Sequence, residues 1–186
     1  MTINELIETA HADAKAKGFW DEPRNTGELL MLIVSECGEA LEAHRKGKRA
    51  ELEEFNRHEM LHGPEVNKLN FEVLVKDTFE DELADIVIRI ADLCGYEKMQ
   101  LQHEPRPRTL ALFEPKNTGE LLLFLTSYIV EFYQTKEGKA SQLFAMQKAF
   151  GMAFIIAQLN DIDLWRHIEL KLAYNRTRPH KHGKAY

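Results

Sequence analysis

Two pairs of carboxylates are the residues of this sequence best placed to do chemistry. Glu36 and Glu39 lie three residues apart in a segment with helical periodicity, and Glu82 and Asp85 repeat that spacing. Residues three apart share one side of a helix, and on a helical wheel Glu36 falls inside the apolar arc of its helix. An ionised carboxylate at such a position is costly unless it is paired or bound to a metal. The sequence therefore predicts that Glu36 meets a cation.

Convergence of the two pairs would create a site for a hard metal ion. If the two helices pack as an antiparallel hairpin, the four carboxylates come together, and their oxygens suit Mg²⁺, with Mn²⁺ as a substitute. The alternative is that the acidic residues after Thr78 only complement the N-terminus of a helix. We favour that alternative for Glu80 and Asp81, and the metal for Glu82 and Asp85.

A second group of candidate residues lies near the C-terminus. Lys171 and Asn175 are i,i+4 neighbours on one face of a predicted helix, and Arg178 follows just beyond it. This spacing suits a triphosphate that lies along a helix end, because Arg can bind phosphate bidentately. Tyr174 and Trp20 are candidate surfaces for stacking a nucleobase, although aromatic side chains more often pack in a core.

These motifs, taken in order, resemble those of a known family. The chain resembles the MazG-like nucleotide pyrophosphohydrolases of the all-α NTP pyrophosphatase superfamily, on the segments Ser35–Ala40, Glu82–Asp85 and Lys171–Pro179. Each motif alone is short, but their order and helical context are fairly specific. The resemblance implies that Lys171 and Asn175 contact the nucleotide. It also implies that the catalytic magnesium is held by Glu36, Glu39, Glu82 and Asp85.

The activity that this resemblance implies is Mg²⁺-dependent hydrolysis of a nucleoside triphosphate to the monophosphate and pyrophosphate. The substrate would be a dNTP or a non-canonical NTP, and the role housekeeping of the nucleotide pool. A metal-bound water would attack the α-phosphorus, and Lys171 and Arg178 would balance charge on the leaving pyrophosphate. Glu39 is the candidate base, because it lies at the edge of the apolar arc. A homodimer is expected, since such bundles often pair about a two-fold axis.

A competing motif is the literal HExxH at His58-Glu59-Met60-Leu61-His62, with Glu82 twenty residues after His62. In a zinc metallopeptidase, two imidazoles on a rigid buried helix bind the metal while Glu59 would polarise water. The preceding segment is mostly charged, however, and Gly63-Pro64 ends any helix immediately after the motif. We therefore expect two solvent-facing histidines here.

A third interpretation, from a different class, is a non-catalytic helical interaction module whose acidic face docks a basic partner. It predicts acidic residues on the exposed arc of the helix, whereas Glu36 lies on the apolar arc. A protein that is soluble without metal and hydrolyses no nucleotide would favour this interpretation.

The predicted fold class is all-α. Apolar residues recur at i, i+3, i+4 and i+7 in almost every long segment, and no clean alternation reaches strand length. Asn25 followed by Glu28 predicts a capping box at the start of the second helix. The periodicity places helices near 2–17, 26–46, 49–62, 67–96, 118–136, 140–159 and 164–176.

An internal repeat organises these helices. The residues Asn25–Leu30 recur identically as Asn117–Leu122, at an offset of 117 − 25 = 92, and predict two tandem hairpins that form a four-helix-bundle core. The alternative is that two unrelated helices share one cap sequence. We expect a single domain over 1–186, with a first hairpin at about 26–96, a degenerate second hairpin at about 118–159, and a nucleotide-binding helix at about 164–178.

The second hairpin has lost the acidic motif. Matching the two halves puts Tyr128, Lys148 and Gly151 where the first hairpin has acidic residues. One active site per chain is therefore expected, with acids from the first half and the Lys…Asn element from the second. The irregular stretch within 49–78 suggests a separate excursion over that site.

Composition and charge exclude other function classes. The 186 residues are 44% hydrophobic, enough for a sizeable core, and the net charge of −6 argues against a protein that coats a nucleic-acid polymer. The apolar runs are too short for a bilayer and the N-terminus does not resemble a signal peptide, so a soluble cytoplasmic protein without a membrane partner is expected. Cys37 and Cys94 lie in helical apolar patterns and are expected to be reduced packing residues.

Overall fold

The computed structural model describes residues 1–62, 67–102, 117–135 and 138–183, and these residues form an all-α fold. The prediction of an all-α class is confirmed, since no strand occurs in the described ranges. A short 3₁₀ segment, His180–Gly183, follows the last helix. The eight α-helices of the described part are α1 (Ile3–Ala16), α2 (Thr26–Arg45), α3 (Leu52–His62), α4 (Asn67–Leu74), α5 (Phe79–Glu97), α6 (Thr118–Gln134), α7 (Lys139–Leu159) and α8 (Leu164–Thr177).

The single helix predicted over 67–96 is wrong, because α4 and α5 are separate helices. Between them Asp77 has a left-handed backbone, with φ of 59°, a conformation that Asp tolerates better than most residues. Thr78 then caps α5, since its Oγ1 accepts a hydrogen bond from the Asp81 backbone N–H at 3.3 Å. The predicted stop at Gly63-Pro64, and the last residue of the helix predicted over 118–136, lie outside the described residues.

The two copies of the repeated sequence start their helices in the same way. The side chain of Asn25 accepts from the Glu28 backbone N–H at 3.1 Å, and that of Asn117 accepts from the Glu120 backbone N–H at 2.8 Å. The capping box predicted at α2 is formed only in part. Asn25 caps the helix as predicted, but the Glu28 carboxylate accepts hydrogen bonds from the Arg24 guanidinium.

Helix α5 lies at the centre of the fold. It packs against α1, α2, α7 and α8, while α2 also packs on α6 and α6 on α7. A helix covered on so many sides must be apolar almost all round, and the fully buried residues of α5 include Leu83, Ala84, Ile86, Val87, Ile90 and Ala91. Packing of this density holds the N-terminal turns of α5 in place beside α2 and α8.

Helices α3 and α4 pack on each other, and α4 also packs on α8. Their contact with α8 forms a small second core, which consists of Phe55, Phe71, Val75, Leu170 and Tyr174. This core fixes the excursion between the two acidic pairs against the last helix.

The segment that follows α8 is held against the end of α1. The Lys17 ammonium donates to the backbone carbonyls of Arg176 at 2.8 Å and Arg178 at 2.5 Å, which serves the free carbonyls at a helix C-terminus. Gly18 has φ of +81°, and a Cβ there would lie 1.9 Å from the His180 ring. Only glycine allows this close approach, so the loop after α1 fixes the C-terminal basic segment.

Two sequence expectations concern apolar residues. Cys37 and Cys94 are both buried and free. Within the described residues, α7 alone is long and apolar enough to span a membrane by length and composition, and 56% of that window is buried inside the protein. One helix of this kind is weak evidence for a membrane span, and localisation stays a prediction.

Candidate metal centre

A cavity of about 520 Å³ lies between α1, α2, α5 and α8. Its wall includes the acidic residues Glu36, Glu82 and Asp85 as well as residues from the C-terminal element. The cavity also has apolar wall residues, namely Ala10, Ala14, Ala16, Phe19, Leu29, Leu32, Ile88 and Leu172. Concave sites with convergent polar groups are the usual form of a ligand pocket, and most residues of this wall are charged.

Three of the four predicted metal ligands converge on this wall. One carboxylate oxygen from each of Glu36, Glu82 and Asp85 lies within 4.8 Å of the other two. Glu36 is buried in the middle of α2, and Glu82 and Asp85 lie in the first two turns of α5, whose start is set by the Thr78 cap. The predicted meeting of the two acidic helices is therefore seen at these three residues.

Glu39 lies apart from the other three carboxylates. It is exposed, one turn after Glu36, and it lines the cavity without belonging to the close cluster. The reason is the wheel position seen in the sequence, since Glu39 falls on the border of the apolar arc that buries Glu36.

Two basic side chains compensate part of the acidic cluster. Arg89, one turn after Asp85, donates to Glu36 at 2.7 Å. The Lys171 ammonium lies 2.8 Å from carboxylate oxygens of both Asp81 and Asp85. Glu82 is only 5% exposed, and among the described residues it has no ion pair. The least compensated carboxylate of the cluster thus has an oxygen within 4.8 Å of oxygens of the other two members.

The electrostatic environment favours a cation at this cluster. Burial, followed by the charge of Asp85, raises the pKa of Glu36 above its ordinary range. Burial and the charges of Asp85 and Asp81 raise the pKa of Glu82 to about 9. Both shifts mean that the ionised carboxylates are destabilised where they stand. A cation would remove that penalty, and without one the cluster retains a proton at neutral pH.

Lys171 and Asp81 form a buried ion pair in which the pKa values of both groups are raised. Burial raises the pKa of Asp81 to about 6, against the effect of the Lys171 charge. Burial by itself would lower the pKa of Lys171, but the charges of Asp85 and Asp81 outweigh it and raise that pKa. Lys171 is therefore charged at neutral pH although it is buried.

The three residues predicted to grip a triphosphate all line the cavity. Lys171 and Asn175 come from α8, and Arg178 follows that helix. Lys171 lies deep, 4% exposed, whereas Arg178 is half-buried and its guanidinium lies 5.8 Å from the ring centre of Tyr174. The C-terminal element and the acidic cluster thus share one cavity within one chain.

The two aromatic candidates lie outside the cavity wall, in contrast to the base-stacking positions expected for them. Trp20 stacks on Tyr96 with ring centres 4.3 Å apart and donates its N–H to Asp92. Tyr174 stacks on Phe71 at 4.4 Å in the second core. Each ring thus has one face against an aromatic partner of the fold, and the stacking role of both residues stays a prediction. The aromatic ring that does line the wall is Phe19.

The HExxH segment lies in α3, and neither His58 nor Glu59 lines the cavity that contains the acidic cluster. His58 Nε2 lies 3.0 Å from the Glu54 carboxylate. Glu59 accepts hydrogen bonds from Arg166 of α8 at 2.6 Å and from Asn67 at 2.9 Å. The side chain of His62 lies outside the described residues. Glu59 is thus engaged in joining α3 to α8 and α4.

Sequence reasoning missed Asp81 and Arg89. Asp81 was expected to complement a helix N-terminus, yet it is 1% exposed and paired with Lys171. A signal was present, because a lysine on the buried face of α8 needs an acidic partner. Arg89 lies one helical turn after Asp85, which is the spacing at which an arginine can reach the same wall.

In α6 and α7, the residues matched to the acidic motif also meet, with different chemistry. The Lys148 ammonium lies 2.7 Å from a Glu131 carboxylate oxygen and 4.6 Å from the ring centre of Tyr128. Tyr128 and Lys148 are the residues matched to Glu36 and Glu82. A positive side chain therefore stands at the position where the first helix pair has an unpaired carboxylate.

Comparison with family models, curated proteins and solved structures yields no match for this chain.

Proposed function

We propose that this protein hydrolyses nucleoside triphosphates, dNTPs or non-canonical NTPs, to the monophosphate and pyrophosphate in a Mg²⁺-dependent reaction. The observation that carries this proposal is Glu82, a buried carboxylate without an ion pair in the described part of the chain, with one oxygen within 4.8 Å of oxygens of Glu36 and Asp85. The same cavity wall includes Lys171, Asn175 and Arg178. A site with acids for a cation beside bases for phosphate suits a metal–triphosphate complex.

The residues at the site fit a divalent cation. Carboxylate oxygens are the ligands that Mg²⁺ and Mn²⁺ prefer, and Glu36, Glu82 and Asp85 supply three within 4.8 Å of one another. These three residues would hold the ion, with Glu39 as a further ligand from the rim. When bound, the ion would neutralise phosphate charge and lower the pKa of a bound water.

The remaining residues of the cavity would bind and orient the substrate. Arg178 would bind phosphate oxygens bidentately, and Asn175 would donate from its amide. Lys171 would bring positive charge near the leaving pyrophosphate while it stays paired with Asp81 and Asp85. Glu39, exposed at the rim, would take the proton from the attacking water if it is not a ligand.

The same proposal includes an architecture. We interpret α2 with α5 and α6 with α7 as two tandem hairpins of a four-helix bundle, the second a degenerate copy. The identical caps at Asn25 and Asn117 support this interpretation, as does the meeting of Tyr128 with Lys148. The homodimer expected for such a bundle is part of the proposal, as is a cytoplasmic location.

A substrate screen tests the proposed function. Purified protein is incubated with canonical and damaged dNTPs and NTPs in Mg²⁺ or in a chelator, and products are separated by ion-exchange chromatography. We expect monophosphate and pyrophosphate from at least one substrate, only with Mg²⁺, and none from a Glu36→Gln variant. Release of inorganic phosphate and a diphosphate, or no turnover across the panel, would contradict the proposal.

A further inference from the structure

The Lys171 ammonium occupies the position of a cation between two carboxylates. It lies 2.8 Å from Asp81 and 2.8 Å from Asp85, and the side chain is 5% exposed. Asp81 is itself 1% exposed. A buried charge at this depth is stable only when opposite charges surround it closely. The geometry is therefore that of a bound ion that is covalently part of the chain.

A second group of carboxylate oxygens shares Glu82 with the metal cluster, and it includes Asp81, one of the two partners of the Lys171 ammonium. Oxygens from Asp77, Asp81 and Glu82 lie within 4.8 Å of one another. Asp81 Oδ1 is buried and has no hydrogen-bond partner within the described residues, an arrangement that costs free energy unless a cation lies nearby. Glu82 belongs to both groups, so the two cation positions share one carboxylate.

We propose that Lys171 is a built-in cation which stands in for a second ion beside Asp81, so that the centre binds one divalent ion, at Glu36, Glu82 and Asp85. The proposal rests on the proposed function for the nature of that ion. Two divalent ions that shared Glu82, with the ammonium beside them, would repel one another. Lys171 is therefore a positioning residue, which sets the number of ions and holds Asp81 and Asp85 in place.

The second helix pair uses the same kind of pairing with a lysine. Lys148 lies 2.5 Å from one Glu131 oxygen and 2.7 Å from the other. Among the described residues, Lys148 is paired with a single carboxylate, that of Glu131, whose side chain is 43% exposed. Removal of Lys148 would leave a single solvated acid, which does not make a metal site, whereas removal of Lys171 leaves several buried ones.

The test counts bound Mn²⁺ in the full chain without nucleotide, by electron paramagnetic resonance of free Mn²⁺ and by calorimetry. We expect one ion per chain for the wild type, two for Lys171→Met and for Lys171→Gln, and one for Lys171→Arg, which keeps the charge. Lys148→Met is the matched control and should bind one. Circular dichroism checks the fold of each variant.

The outcomes separate this inference from the proposed function. Two ions in the wild type, or one ion in both neutral variants, would overturn the built-in cation while leaving the metal centre standing. No ion in the wild type would contradict the metal centre itself. If a neutral variant is unfolded without metal, Mn²⁺ should restore its helical signal, because the second ion replaces the lost charge. Failure to restore it would count against the inference.

Discussion

The helix pair α2–α5 and the helix pair α6–α7 start from the same six-residue sequence and end with opposite chemistry. Both begin with an Asn cap that accepts from the backbone N–H three residues on. In the first pair Glu36 meets Glu82 and Asp85. In the second pair Lys148 meets Glu131 and Tyr128. In the first pair, three carboxylates face one basic side chain of the same two helices, Arg89. In the second pair, the Lys148 ammonium balances the Glu131 carboxylate.

This difference shows that a few side chains distinguish a candidate ion site from an ion pair that only stabilises the fold. The Asn caps of the two pairs are alike, so we expect the side chain opposite Glu36 or Tyr128 to decide the outcome. A carboxylate there leaves the cluster short of positive charge, whereas the Lys148 ammonium supplies it. We therefore expect function to follow the first pair alone.

The largest effect is expected from removing charge at the first pair. Glu36→Gln should lower Mg²⁺-dependent hydrolysis on the order of 100-fold or more, because a ligand of the ion is lost from a buried site. Steady-state turnover with the best substrate of the screen measures this effect, and circular dichroism shows that the variant is folded.

The matched change in the second pair is Glu131→Gln, which should leave turnover within about 2-fold, since the ion pair of Glu131 in the described part of the chain is with Lys148, outside the acidic cluster. Equal loss in both variants would show that the two helix pairs do not differ in function. Activity of Glu36→Gln within tenfold of wild type would remove Glu36 from the proposed ligands.

The second effect concerns the number and composition of sites. Calorimetric titration with a non-hydrolysable triphosphate analogue in Mg²⁺ should give one site per chain, since Tyr128, Lys148 and Glu131 do not form a cation site. Glu36 and Lys171 line one cavity of one chain. A mixture of inactive Glu36→Gln with inactive Lys171→Ala should therefore stay inactive.

Restored activity in that mixture would show that the site crosses between chains. A stoichiometry of two per chain would show that the second helix pair still binds nucleotide, and the contrast between the pairs would fail.

The third effect is on stability without metal. The pKa of Glu82 is raised to about 9 from an ordinary 4.5. The contribution of Glu82 to the free energy of unfolding should therefore be greatest below about pH 4.5, where the carboxyl is protonated in both states. That contribution should fall as the pH rises toward 9. Glu82→Gln cannot ionise, so in a chelator at pH 8 it should be more stable by at least about 1 kcal/mol, or about 2–4 °C in Tm.

Thermal melts of both proteins from pH 4 to 9 measure this difference. The advantage of Glu82→Gln should vanish at the acid end, and excess Mg²⁺ should reduce it at the alkaline end. A variant that is less stable than wild type at pH 8 would show that Glu82 is already balanced by its neighbours.

The smallest effect is expected at the HExxH segment. Combined His58→Ala and His62→Ala should leave turnover within a few-fold, because His58 contacts Glu54 and not the cavity. Elemental analysis should find no change in bound zinc. Stoichiometric zinc that disappears in this double variant would instead favour the metallopeptidase interpretation.

Local signals in the sequence predicted most of the helices. The Asn caps, the periodicity of α2 and the acidic spacing at Glu82 and Asp85 are all properties of a few neighbouring residues. The break before α5 was missed because apolar periodicity continues through it, while the left-handed Asp77 and the Thr78 cap interrupt the helix.

The rest of the candidate site depends on contacts between distant residues. Asp81 pairs with Lys171, ninety positions away, and no local pattern shows that pairing. Trp20 and Tyr174 are predicted stacking surfaces, and each has one face stacked on a partner from another helix, Tyr96 or Phe71. Which face of an aromatic ring stays open is decided by tertiary packing.

The most direct test of the central claim is the position of bond cleavage. Turnover of a substrate from the screen in ¹⁸O-labelled water with Mg²⁺ is followed by mass spectrometry of both products. Attack on the α-phosphorus predicts one ¹⁸O atom in the nucleoside monophosphate and none in pyrophosphate, with no reaction in Glu36→Gln. Label in the pyrophosphate, or label incorporation that persists in Glu36→Gln, would contradict the claim that this acidic centre directs water to the α-phosphate.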